Sequence, residues 1–111
     1  MKALVLITGL VLILSANAHY ATWYGGKFHG RLTASGERYD QNALTCASNK
    51  YPFGSELVVT NKANGKSVTC RVNDRGGFGK YGVSLDLSRA AFSKIAPLSA
   101  GRIKVSIVRV K

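Results

Sequence analysis

The feature that most constrains the fold of this chain is Asn64-Gly65, set between two runs rich in Val and Thr. Residues 56–60 and 67–73 have the β-branched content of strands, and an Asn-Gly pair between them is the strongest short hairpin signal. An antiparallel hairpin is therefore expected in mid-chain. Upstream, residues 20–24 are aromatic and β-prone and stop at Gly25-Gly26, so they read as a first strand and turn. Residues 27–42 are polar and broken by Gly30, Ser35 and Gly36, as in a loop. A second loop spans residues 74–82, with glycines at 76, 77, 79 and 82. Ser88 can cap a short helix reaching about Ile95, with Ala90, Ala91 and Phe92 toward the core and Pro97 ending it. Ile103, Val105 and Ile107 alternate with Lys104 and Ser106 in a last strand, and the phase shift at Val108 predicts a bulge or burial on both faces. The chain thus reads as mostly β with one short helix, no repeats and no internal linker. A small barrel satisfies this pattern best, because closure leaves no exposed strand edge.

Residues 1–18 read as a secretory signal peptide. Lys2 gives a positive start, residues 3–14 are apolar apart from Thr8 and Gly9, and Ala16-Asn17-Ala18 has the form of a cleavage site. The apolar run is shorter than the roughly 20 residues that span a bilayer, and no cysteine follows for lipidation. The expected product is one small domain of residues 19–111, secreted or periplasmic, monomeric and without a stable membrane anchor.

Sixteen Lys and Arg against five Asp and Glu give a formal charge of +11, of which the leader removes only Lys2. Such a charge implies an anionic partner: a cell-wall polymer, a membrane or nucleic acid. The basic residues are spread from Lys27 to Lys111 rather than clustered, which argues against a nucleic-acid stripe, and export argues the same way. Cys46 and Cys70 are the only cysteines, and in an exported domain of this size a pair is expected to form a disulfide. The loop closed would stabilise the fold by about 3 kcal/mol in the chain-entropy model. Two thiols with no nearby histidine do not make a metal site, and neither a metal nor another cofactor is expected. An N-terminal His19 can in principle chelate copper through its own amine, but the other motifs fit elsewhere.

The five acids are Glu37, Asp40, Glu56, Asp74 and Asp86, and all but Glu56 fall in three short signatures: TASGERYD (33–40), VNDRG (72–76) and LDLS (85–88). Turns and element ends are where polar chemistry is usually presented, so a carboxylate-based site is the first hypothesis. Each residue also has a plain reading. Asp74 can cap the glycine loop or pair with Arg75, Asp86 can support the helix start at Ser88, and Glu37 can be a surface acid beside Arg38. Trp23 and Tyr24 are either a stacking platform for sugars or barrel filler, and His29 lines a groove or sits in a surface loop.

Read together, the stretches ATWYGGKFHGRLTASGERYDQNALT, YPFGSELVVTNKANGKSV, RVNDRGGFGKYGV and LDLSRAAFSKIA resemble the RlpA (rare lipoprotein A) family. They follow the family's order and cover nearly all of residues 19–111. The resemblance implies a six-stranded double-psi β-barrel, and an activity as lytic transglycosylase on peptidoglycan glycan strands. It implies Asp74 as catalytic acid, Glu37 as a supporting carboxylate, and Asp86 as a residue of the same groove in expansin-like relatives. Arg75, Trp23, Tyr24 and His29 are the remaining candidates for substrate binding. Ser48, the third catalytic candidate, stands where the family usually has a histidine, and Gly77 where proline is usual after DRG. Serine hydrogen-bonds but carries no charge near neutral pH. Such chemistry protonates the glycosidic oxygen while the muramyl 6-hydroxyl closes onto the anomeric carbon, leaving a 1,6-anhydro end. The alternative is a non-catalytic expansin- or barwin-like module that grips wall polysaccharide by charge and aromatics.

Overall fold

The computed structural model describes residues 19–111; the leader assigned to residues 1–18 lies outside the described residues. Among the described residues six strands form a closed barrel: β1 (His19–Tyr24), β2 (Thr45–Ala47), β3 (Glu56–Asn61), β4 (Ser67–Asp74), β5 (Leu85–Ser88) and β6 (Ile103–Arg109), with one helix, α1 (Arg89–Ser93). Around the barrel they run β1-β5-β2-β4-β3-β6 and back to β1. The β1–β5 and β2–β4 pairs are parallel and the others antiparallel.

The hairpin predicted from Asn64-Gly65 is the β3–β4 pair, in register from Glu56 opposite Arg71 to Thr60 opposite Ser67. The turn is longer than two residues. Asn61 N–H donates to the Lys66 carbonyl at 2.8 Å, and Gly65 takes the positive φ of 77° that its lack of a Cβ permits. Asn64 accepts from Lys66 N–H and donates its amide to the Ile95 carbonyl, tying the turn to the end of α1. Ser88 caps α1, its Oγ accepting from Ala91 N–H at 3.1 Å. Ala91 and Phe92 are fully buried, whereas Ala90 is only half-buried. Phe92 packs with Leu57, Val59, Leu85, Leu87 and Val105 in the core.

Two strands departed from expectation and one feature was misplaced. Thr45–Ala47 and Leu85–Ser88 are strands. β6 runs past Val108 without a bulge, pairing Val108 with Val58, and Val108 is 56% exposed. The phase change there reflects a strand end leaving the core rather than burial on both faces. The register shift falls instead in β2–β4, between Cys46 and Ala47. Cys46 and Cys70 form a disulfide across the same two strands, with Cα atoms 5.8 Å apart and both residues fully buried.

Candidate functional site

The β2–β4 irregularity decides where the acids point. Cys46 pairs with Val72, but Ala47 pairs with Asp74, so Asn73 is the extra residue. In an unshifted ladder Asn73 would oppose Ala47, and alternation would send Asp74 to the other face. On its other side Ala47 pairs with Asp86 of β5. Asp74 and Asp86 therefore flank one small residue on one face, their Cα atoms two strand spacings apart, about 10 Å. They line a cleft of about 360 Å³ together with Tyr24, Phe28, Arg75 and Phe78.

Each group is held firmly. Asp74 Oδ1 accepts from the backbone N–H of Ala34 at 2.9 Å and of Arg75 at 2.8 Å, and Oδ2 accepts a longer bond from Tyr24 Oη at 3.4 Å. Tyr24 stacks on Tyr39 at 4.3 Å, and Tyr39 Oη donates to the Tyr24 carbonyl at 2.5 Å while accepting from Arg89 N–H. Burial, then the Asp74 charge, push the Tyr24 phenol far up, so it remains a hydrogen-bond donor. Asp86 Oδ1 accepts from Thr22 Oγ1 at 2.9 Å, its cross-strand partner on β1. Burial pushes the Asp86 carboxyl up to about 6, with the Asp74 charge adding to the rise and the Thr22 hydrogen bond opposing it. One cleft thus holds two carboxyl groups in distinct environments, Asp74 bonded by two backbone amides and Asp86 buried beside Thr22.

Glu37 is exposed and does not line the cleft. Its carboxylate receives Arg71 Nη1 at 2.9 and 3.1 Å and Asn73 Nδ2 at 3.0 Å. The Arg71 hydrogen bond, then that of Asn73, hold its carboxyl below the usual carboxylate range. With Ser35 N–H bonded to the Asn73 carbonyl at 3.3 Å, these contacts fasten the 33–37 turn to β4 and carry Ala34 N–H onto Asp74.

Ser48 is buried, and its Oγ accepts from the N–H groups of Lys50 and Tyr51 at 3.0 and 3.1 Å. Its backbone meets the site: its N–H donates to the Asp74 carbonyl at 3.0 Å and its carbonyl accepts Arg75 Nη1 at 2.8 Å. The Arg75 guanidinium also lies 4.0 Å over the Phe53 ring, so it braces the 48–53 loop while the backbone N–H of Arg75 serves Asp74. Trp23 turns toward the core, donating Nε1–H to the Leu98 carbonyl at 3.0 Å beside Phe92. His29 is exposed, and its Nδ1 accepts from Gln41 N–H at 3.2 Å. Of the residues singled out in the sequence, Asp74, Asp86, Tyr24 and Arg75 come together in the cleft; Glu37, Ser48, Trp23 and His29 do not line it.

Thr22, Phe28, Phe78 and the Ala34 amide were not anticipated. Thr22 shares a strand face with Tyr24, so the period of two along β1 pointed to it. Phe78 had a backbone signal: a Cβ at Gly76 would come within 2.6 Å of its ring, so only glycine permits this packing. A backbone amide leaves no side-chain signature.

A family model described as lytic transglycolase matches residues 16–107. An endolytic peptidoglycan transglycosylase RlpA of Neisseria meningitidis serogroup A is 49% identical over 90 residues, covering 81% of this chain and 37% of that protein. The chain therefore spans little more than a third of that relative's length. Among solved structures, a mutant expansin of Clavibacter michiganensis in complex with cellohexaose superposes with a TM-score of 0.67 at 25% identity, covering 85% of this chain and 50% of the expansin. The Streptomyces papain inhibitor superposes with a TM-score of 0.64 at 27% identity, covering 84% of this chain and 94% of the inhibitor.

Proposed function

This chain belongs to the lytic transglycolase family of RlpA-like double-psi β-barrels, and on that premise we propose that it cleaves peptidoglycan glycan strands by transglycosylation. The observation that carries the reading is the placement of Asp74 and Asp86 on either side of Ala47 in one cleft. Asp86, with its carboxyl at about 6, retains enough proton near neutral pH to donate it to the bridging glycosidic oxygen. As the C1–O4 bond breaks, the muramyl 6-hydroxyl attacks C1, and Asp74 takes the hydroxyl proton. The C1–O6 bond completes a 1,6-anhydro end without water. The family resemblance alone assigns the acid to Asp74; the burial of Asp86 favours dividing the two proton transfers between them.

Glu37 acts in this scheme as a positioning residue through the Ala34 amide, and Ser48 through its backbone contacts to Asp74 and Arg75. Tyr24 orients Asp74 by its hydroxyl. The disulfide suits an extracytoplasmic protein, and a leader cleaved after Ala18 would deliver it there as a monomer without a membrane anchor. Incubation of residues 19–111 with purified, peptide-stripped glycan, followed by mass spectrometry, is expected to give 1,6-anhydro ends. Asp74→Asn and Asp86→Asn should each lower their yield by at least about a hundredfold. Full activity in Asp86→Asn would remove Asp86 from the reaction. The likeness to an expansin carrying cellohexaose favours one other reading, a module that binds wall polysaccharide without cutting it. Pelleting with wall and no anhydro product would establish that reading.

A further inference from the structure

A second cleft, of about 250 Å³, shares Phe78 with the first among its lining residues. It is lined by His19, Lys50, Tyr51 and Ser84 among others, and by no Asp or Glu. The two clefts therefore differ in charge: Asp74 and Asp86 line the first together with Arg75, whereas Lys50 lines the second with no acid beside it. Lys50 Nζ lies 5.3 Å over the Tyr51 ring, and His19 Nδ1 pairs with Ser84 Oγ at 3.0 Å. The ridge between the clefts is pinned. The Asn49 amide clamps Gly76 by accepting its N–H at 3.1 Å and donating to its carbonyl at 2.6 Å, and Arg75 holds the Ser48 carbonyl at 2.8 Å.

Because Phe78 lines both clefts, they are adjacent, and a polymer seated in the first has the second beside it. Peptide-stripped peptidoglycan glycan alternates a neutral sugar with a muramyl sugar whose lactyl arm ends in a free carboxyl group. That arm is repelled by the Asp74 carboxylate and attracted by Lys50. Resting on the reading of the first cleft as the cleavage site, we propose that the second is a subsite for the muramyl lactyl carboxylate. Lys50 is its ionic partner, and Tyr51 and Phe78 pack against the sugar.

The test measures affinity in an Asp74→Asn background, so that glycan is not consumed. Its ligands are peptide-stripped glycan fragments and uncharged β-1,4-linked N-acetylglucosamine oligomers of matched length. Lys50→Gln is expected to weaken binding of the glycan about tenfold and of the uncharged oligomer hardly at all. Lys62→Gln, on the β3–β4 turn, removes the same charge elsewhere and should leave both affinities unchanged. An equal effect of Lys50→Gln on both ligands, no effect on either, or a matching loss from Lys62→Gln would overturn the subsite. If the parent protein cuts glycan while Lys50→Gln binds it normally, the subsite alone falls. If it binds neither ligand, the cleavage reading falls as well.

Discussion

Burial of Asp86 beside Asp74 works against the folded state at neutral pH. Its carboxyl rises to about 6 in the fold from an ordinary value near 3.8, chiefly because burial penalises the charged form. The sign follows from linkage. The group's contribution to stability is fully present below the unfolded value and is lost as pH rises through 6. A rise of this size corresponds to at most about 3 kcal/mol. Asp86→Asn keeps an acceptor for Thr22 and removes the charge. Thermal denaturation should show its melting temperature raised by about 5 °C or more at pH 7.5 and nearly unchanged at pH 3.5. A lower melting temperature at both pH values would make Asp86 a structural acceptor only. A carboxyl kept where it destabilises the fold is the signature expected of a working site.

At the level of elements, the 33–37 turn and the β2–β4 shift together aim Asp74. In the proposed scheme Glu37 acts on the site through this turn, so its variants should separate charge from geometry. Glu37→Ala frees the turn and is expected to lower kcat about tenfold or more, whereas Glu37→Gln, which can still accept from Asn73, should recover much of that loss. Equal losses in both variants, with a changed pH profile of kcat/KM, would instead assign Glu37 a proton-transfer role. The sequence marked these elements unevenly. The Asn64-Gly65 hairpin, the Ser88 cap and the alternation of β6 were legible because each has a local cause. β2 was not, since three residues, Thr45–Ala47, are too few to show a period of two. β5 was legible as a carboxylate signature but not as a strand, being buried at Leu85, Leu87 and Ser88. The acids were visible, but the extra residue Asn73, which sets Asp74 on the face of Asp86, depends on a partner strand some 26 positions upstream in the chain. The sequence likewise grouped Glu37 with Asp74 without showing that its carboxylate is bonded by Arg71 and Asn73.

Across the whole molecule, a closed barrel stapled between β2 and β4 holds a small acidic cleft in a domain of high positive charge. The staple joins the strands that carry Ala47 and Asp74. Replacing both Cys46 and Cys70 by Ala should cost about 3 kcal/mol in denaturant unfolding. A loss below about 1 kcal/mol would mean that core packing alone fixes these strands. The positive charge suits capture of an anionic polymer, and the two clefts would divide it into a cutting position and a holding position. The central claim is that Asp86 gives the proton and Asp74 receives one. The most direct measurement is kcat/KM for 1,6-anhydro end formation on peptide-stripped glycan as a function of pH, which reports groups of the free enzyme. A descending limb near pH 6, set by Asp86, is expected. A rate that stays level from pH 5 to well above pH 8 would contradict it.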